Sequence, residues 1–299
     1  MKTRAPGRKT SEQPPAGTRD LSTPSTSGAG MTIPTAADQH YPLIGPGDPE
    51  PFSLYNPDGT APVLLVCDHA SKAFPRVMNQ LGLADWVLDQ HVASDIGAAM
   101  VTRHLSDLLD APAVLAGYSR LIIDPNRKLT SSTAFIEVSD GITVPGNIDL
   151  SEEEKADRVA SFFDPYHQAI TDRLERFKSR AVTPAFISVH TCTPVFNQVV
   201  REMHIGVMWD KDPRIPLPFI RNLEAMEGVC VGDNEPYSGK HPHDFTIDFH
   251  AEPEGLPHVG IEVRQDLVGE EEGARRWAGI LADGLEDVLS DIVGLQPRR

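Results

Sequence analysis

Val63-Leu64-Leu65-Val66-Cys67-Asp68-His69 decides the fold. Four consecutive apolar residues are too few for a helix and lack the alternation of a strand with one wet face. They fit a central strand buried on both sides, as in a parallel sheet. Other runs of this kind are Ala113–Ala116, Leu121–Ile123, Ala185–Val189, Ile205–Met208 and Val259–Val263. Helical spacing separates them. Val92, Ile96, Ala99, Leu105 and Leu108 predict a helix within 87–109. Residues 151–180 read as helical, opening with Ser151 and Glu154 in capping-box spacing and restarting at Asp164-Pro165. A last helix is predicted from about Glu270 to Ile292. Strands alternating with helices imply a mixed, mostly parallel sheet covered on both faces, an α/β protein with three α/β/α layers.

The first forty residues differ in kind. They are rich in Pro, Gly, Ser and Thr and poor in bulky apolar residues, so they predict a disordered N-terminal tail ahead of one domain over 41–299. They contain no apolar stretch of the secretory type. The tail carries Lys2, Arg4, Arg8, Lys9 and Arg19, so the acidity of the chain, net −16, lies in the rest. Such a balance excludes a polyanion-binding role: neither nucleic acid nor an anionic membrane surface is expected as a partner. No apolar run approaches a membrane span of about 18 residues. Three cysteines without a CxxC give no disulfide framework, and a cytoplasmic protein is expected.

In open α/β sheets, ligands bind beyond the carboxyl ends of strands. The polar residues there are Asp68-His69 after the first run, His190-Thr191-Cys192 after the fourth, Glu262 and Arg264 on the last, and Asp124-Pro125-Asn126-Arg127 after Ile123. Two histidines and a carboxylate from separate elements suit a catalytic zinc with one open position, and a further glutamate suits a general base. There is no HExxH. Arg120, Arg127 and Arg264 beside apolar runs suit an anionic substrate; as an alternative they pair with Asp124, Asp266 or Asp95. Cys67 and Cys192 flank the histidines and allow a Cys/His amidase, although buried Cys more often fills space. There is no GxSxG. Cys230 reads as core. His241, His243, His250 and His258 make the last third His-rich, and Asp233–His243 reads as a loop able to cover a site.

The segments Val66–Ser71, His91–Ala98, Tyr118–Arg120 with Ile123–Arg127, Ser188–Thr191, Asp233–Ser238 and Gly260–Leu267 resemble the N-formylglutamate amidohydrolase family. That family is related to the zinc carboxypeptidases and the acylglutamate desuccinylases. The resemblance implies a zinc-exopeptidase-like fold and one zinc ion. It implies hydrolysis of a small anionic N-acyl amino acid, N-formylglutamate in the named case, to formate and the free amino acid. It implies His69 and His190 as metal ligands and Glu262 as general base. Asn126-Arg127 would hold a substrate carboxylate, while Arg120 and Arg264 would bind substrate or the oxyanion. Ser71 and His250 are further substrate-binding candidates. The carboxypeptidases place a glutamate three residues after the first histidine, where this chain has Lys72. The carboxylate ligand then comes from elsewhere, and the resemblance implies Asp95, the acidic residue of the matching segment ahead of Gly97, while Asp68 could instead be a partner behind a ligand histidine. A carboxypeptidase-like peptidase and a non-catalytic relative are the alternatives.

Overall fold

The computed structural model describes residues 41–240 and 244–296. The disordered tail expected over 1–40, and His241 and His243, lie outside the described residues. In chain order the elements are β1 (Phe52–Tyr55), β2 (Val63–Cys67), α1 (Asp85–Leu88), α2 (Ala98–Leu109), β3 (Ala113–Ala116), β4 (Val138–Ser139), β5 (Ile142–Thr143), α3 (Glu152–Arg158), α4 (Asp164–Ser179), β6 (Ala185–Cys192), β7 (Val195–Phe196), β8 (Val199–Val200), β9 (Ile205–Met208), α5 (Pro216–Glu224), β10 (Val231–Asp233), α6 (Thr246–His250), β11 (His258–Arg264) and α7 (Glu271–Val293). Seven strands form one sheet in the order β1-β3-β2-β6-β11-β9-β10. The central strands β3, β2, β6 and β11 are parallel. β1 runs antiparallel to β3, and β9 antiparallel to β11. The sheet is mixed and mostly parallel, as the apolar runs predict.

Alternation along the strands builds two cores. Val63, Leu65, Ile187, Val189, Val259, Ile261 and Val263 pack with Val101 and Leu105 of α2, Phe219 of α5 and Trp277 and Leu281 of α7. On the opposite face, Leu64, Val66 and Phe186 pack with Tyr166 and Ile170 of α4. Every residue of β2 is fully buried. Burying one Val or Leu side chain contributes about 1.5–3 kcal/mol, so this strand anchors the sheet. The same alternation puts Asp68, His190 and Glu262 on the α4 side, which places the site.

Three local expectations change. The helix expected within 87–109 is two pieces, because Gly97 has φ +86° and ends any helix entering from Ile96. Leu121–Ile123 is a turn, closed by Ile122 N–H on Ser119 O, and buries its side chains in a third cluster with Val92 and Phe162. Cys230 is exposed. The capping box at Ser151 and Glu154 is formed. The restart at Pro165 follows a π-helical turn over Val159–Phe163, which absorbs the proline without breaking the axis. Among the described residues, no helix is long and apolar enough to cross a membrane.

Gly97 also fixes the segment that carries Asp95. A Cβ there would lie 2.3 Å from the Val268 carbonyl oxygen, on a backbone that L side chains rarely adopt. Gly97→Ala is expected to cost at least about 2 kcal/mol, read as a lower melting temperature. An unchanged melting curve would contradict this packing.

Candidate metal centre and active site

Each key side chain enters from a different element. His69 lies two residues beyond β2, His190 lies on β6, and Glu262 lies on β11, in register with His190. Asp95 comes from the irregular segment before α2 and is tied to the first strand end by Asp95 N–H donating to His69 O. The donor atoms of His69, Asp95 and His190 lie within 4.8 Å of one another, and all three residues are buried.

The ring nitrogens are sorted. Nδ1 of His69 and Nδ1 of His190 lie 3.3 Å and 3.0 Å from the same Oδ2 of Asp95. The other nitrogen of each ring meets a separate buried carboxylate. His69 Nε2 is 2.7 Å from Asp124 Oδ1, and His190 Nε2 is 3.1 Å from Asp68 Oδ2. A carboxylate can only accept, so both nitrogens of each ring face acceptors here, and ligation of an ion at Nδ1 would leave each ring's hydrogen on Nε2, toward Asp124 and Asp68. This is the carboxylate–histidine arrangement that orients metal ligands. The donor set therefore fits a metal ion.

The supporting carboxylates are themselves held. Asp68 Oδ1 accepts from Tyr166 Oη at 2.9 Å and Thr246 Oγ1 at 2.7 Å. Burial works against its charge, but the hydrogen bond and charge of His190 prevail and bring its pKa down to about 2. Arg120 spans two carboxylates, with Nη1 3.3 Å from Asp95 Oδ1 and Nη2 2.8 Å from Asp124 Oδ2. Burial likewise opposes ionisation of Asp95 and Asp124, and their cationic neighbours hold both well below the usual carboxylate range. His190 is held well above its ordinary value, since its bonds to Asp68 and Asp95 outweigh burial.

Glu262 is different. Its Oε2 is the one buried side-chain polar atom without a hydrogen-bond partner among the described residues. Burial is the main cause of a carboxyl pKa pushed up to about 7, against the lowering pull of His190. A carboxyl poised near neutrality beside a ligand cluster is suited to taking and returning a proton.

These groups open into a cavity of about 410 Å³, also lined by His91, Asn126, Arg127, Thr191, Cys192, Thr193, Tyr237 and Gln265. Asn126 Oδ1 accepts from Phe245 N–H and Thr246 N–H, which fixes its amide. Arg127 bonds Asp244 Oδ1 at 2.6 Å, a pairing that strand-end reasoning misses because Asp244 is remote in sequence. Three candidates sit away from the cavity lining. Arg264 pairs with Asp266 and donates to the carbonyls of Arg201 and Glu202, the alternative that its sequence context leaves open. Ser71 Oγ accepts from Ala73 N–H. His250 stacks on His167 and is buried beneath the Asp124–Asn126 loop, where His167 Nε2 donates to Pro125 O. Burial pushes the His250 pKa down to about 3 and keeps it neutral.

The cysteine alternative fails on charge. Burial raises the Cys67 thiol far above its ordinary value and the Cys192 thiol to about 12, so neither supplies a thiolate near neutral pH. Sequence reasoning also leaves Asp124 as no more than an arginine partner. Its position directly after three apolar residues, ahead of the Asn126-Arg127 pair, is the signal that marks it as a support for His69.

A family model for N-formylglutamate amidohydrolase matches residues 61–268. No curated protein matches the chain. Among solved structures, a gene product of Agrobacterium tumefaciens is 32% identical, with a TM-score of 0.79 over 84% of this chain and 99% of that one. An N-formylglutamate amidohydrolase from Ralstonia eutropha is 18% identical, with a TM-score of 0.58 over 81% of this chain and 98% of that one, a likeness of fold. The matched span contains all three clustered ligand candidates and Glu262. The chain belongs to the N-formylglutamate amidohydrolase family, whose members are hydrolases of linear amides.

Proposed function

We propose that this chain is a zinc-dependent amidohydrolase that cleaves an N-formyl or other small N-acyl amino acid, N-formylglutamate being the leading substrate. The observation that carries this reading is the pair of Nδ1 atoms converging on Asp95 Oδ2, with the unpartnered Oε2 of Glu262 on the neighbouring strand. His69, Asp95 and His190 would hold the ion. Imidazole nitrogen and carboxylate oxygen favour zinc, which supplies Lewis-acid polarisation of the acyl carbonyl.

The chain's own groups account for the rest. Ionised Glu262 takes a proton from the attacking water and passes it to the departing amine nitrogen. Arg120, held by Asp95 and Asp124, supplies fixed positive charge where the carbonyl oxygen becomes anionic. Asn126 and Arg127 hold the substrate's α-carboxylate, the amide through N–H donors left over once its oxygen is tied to Phe245 and Thr246. Asp124 and Asp68, buried behind the histidines, would hold the hydrogen of each ligating ring on Nε2.

The test is a panel of N-formyl-L-glutamate, N-acetyl-L-glutamate and a blocked dipeptide. Formate release from the first, with the dipeptide untouched, is expected; cleavage of the dipeptide alone would assign carboxypeptidase-like chemistry instead.

The pH dependence follows from the base. Glu262 must be ionised to act, so kcat/KM rises with pH and is lost as pH falls through its pKa. That pKa is about 7 without a metal ion. A cation at the adjacent ligands favours the ionised form, so the limb falls at or below this value. A profile that rises toward acid pH would rule out Glu262 as the base.

A further inference from the structure

The arginines in or beside the site are mostly paired with a carboxylate. Arg120 serves Asp95 and Asp124, Arg127 serves Asp244, and Arg264 serves Asp266. Arg201, which directly follows β8, is not. Among the described residues it has no carboxylate partner. Its Nη1 donates to Thr193 O at 3.0 Å and Thr193 Oγ1 at 3.2 Å, and its Nη2 donates to Tyr237 Oη at 2.9 Å. Thr193 and Tyr237 both line the active-site cavity. The guanidinium also lies against two rings, 4.9 Å from the Tyr237 centroid and 5.2 Å from that of Phe196.

The backbone is braced as well. Arg201 N–H donates to Pro194 O, and Arg264 Nη1 donates to Arg201 O at 2.9 Å. A half-buried guanidinium held by neutral oxygens and aromatic faces keeps its whole charge for an incoming anion. A further contact is with the Cys192 thiol, and the Tyr237 and Thr193 hydroxyls, which accept from Arg201, each keep a hydrogen to donate. The charge of Arg201 reaches the cavity-lining Cys192, Tyr237 and His91.

We infer that Arg201, with Tyr237 and Thr193, forms a second carboxylate subsite at the cavity rim, which takes the side-chain carboxylate of the substrate and selects N-acyl acidic amino acids over neutral ones. This rests on the amidohydrolase reading, in which Asn126 and Arg127 take the α-carboxylate. A dianionic substrate is then held by two separate cationic sites within an acidic protein. Arg264, although off the cavity lining, becomes a positioning residue for Arg201.

The test compares N-formyl-L-glutamate with N-formyl-L-glutamine, which differ only in that side-chain charge, using zinc-loaded wild type, Arg201→Met and Arg201→Lys. A charge-assisted, multidentate contact predicts that Arg201→Met lowers the glutamate-over-glutamine ratio of kcat/KM by about 30-fold, mainly through KM. Arg201→Lys restores part of the ratio, since it keeps the charge but loses the fork. Melting curves confirm that the variants fold. A wild type that cleaves these N-formyl substrates while Arg201→Met leaves the ratio unmoved would overturn the subsite alone. A wild type that releases formate from neither would overturn the amidohydrolase reading and the subsite with it.

Discussion

Glu262→Gln is expected to lower kcat by about 10³-fold and to leave zinc content unchanged. The size follows from losing general acid–base catalysis, worth about 10²- to 10⁴-fold. The side chain keeps its volume, and its Oε2 has no hydrogen-bond partner to lose, so the fold has little to lose either. A neutral amide cannot accept the proton of the attacking water. The measurement is single-turnover formate release alongside metal analysis. If kcat fell less than about 10-fold, another group would be the base; if zinc fell in step with kcat, Glu262 would be a ligand instead.

Asp95→Asn is expected to abolish metal binding. Asp95 Oδ2 is the point on which both Nδ1 atoms converge, and Oδ1 meets Arg120. The substitution keeps shape but takes a negative charge from the ligand cluster and leaves Arg120 with Asp124 alone. Breaking one partner of a buried charged set costs about 3–5 kcal/mol, so the melting temperature falls together with metal content. Zinc bound per chain should drop from about one to near zero at micromolar zinc, with activity lost in proportion. Retention of one zinc per chain would show that the third ligand is elsewhere, and Asp68 and Asp124 would be the next acids to replace.

Much of this arrangement is legible in the sequence because a parallel sheet gathers strand ends at one edge. His69, His190 and Glu262 each stand at or near the end of an apolar run, and the register of β6 with β11 sets His190 beside Glu262. Asp95 is less legible, since its segment belongs to neither helix nor strand; its position depends on the turn at Gly97 and its bond to the His69 carbonyl. Periodicity extends a helix through that segment because Val92 and Ile96 are apolar, but both lie in a loop, from which Val92 packs into the third cluster.

Leu121–Ile123 misleads for a related reason. Burial in a cluster under a loop leaves the same composition as burial in a strand, and only the missing ladder separates them. Arg127–Asp244 and Arg201–Tyr237 join residues 117 and 36 positions apart, and local spacing holds no trace of either. Charge composition speaks against polyanionic partners, yet it hides the local cations. Arg120, Arg127 and Arg201 bring positive charge to a cavity in a chain of net −16.

The central claim joins metal and reaction, and one titration tests both. Zinc is added in steps to metal-free protein while formate release from N-formyl-L-glutamate is followed. The rate should rise from near zero and level off at about one equivalent, as expected for three converging ligands with one open position. Formate release that is undiminished in chelated protein, or absent at every zinc ratio, would contradict the account.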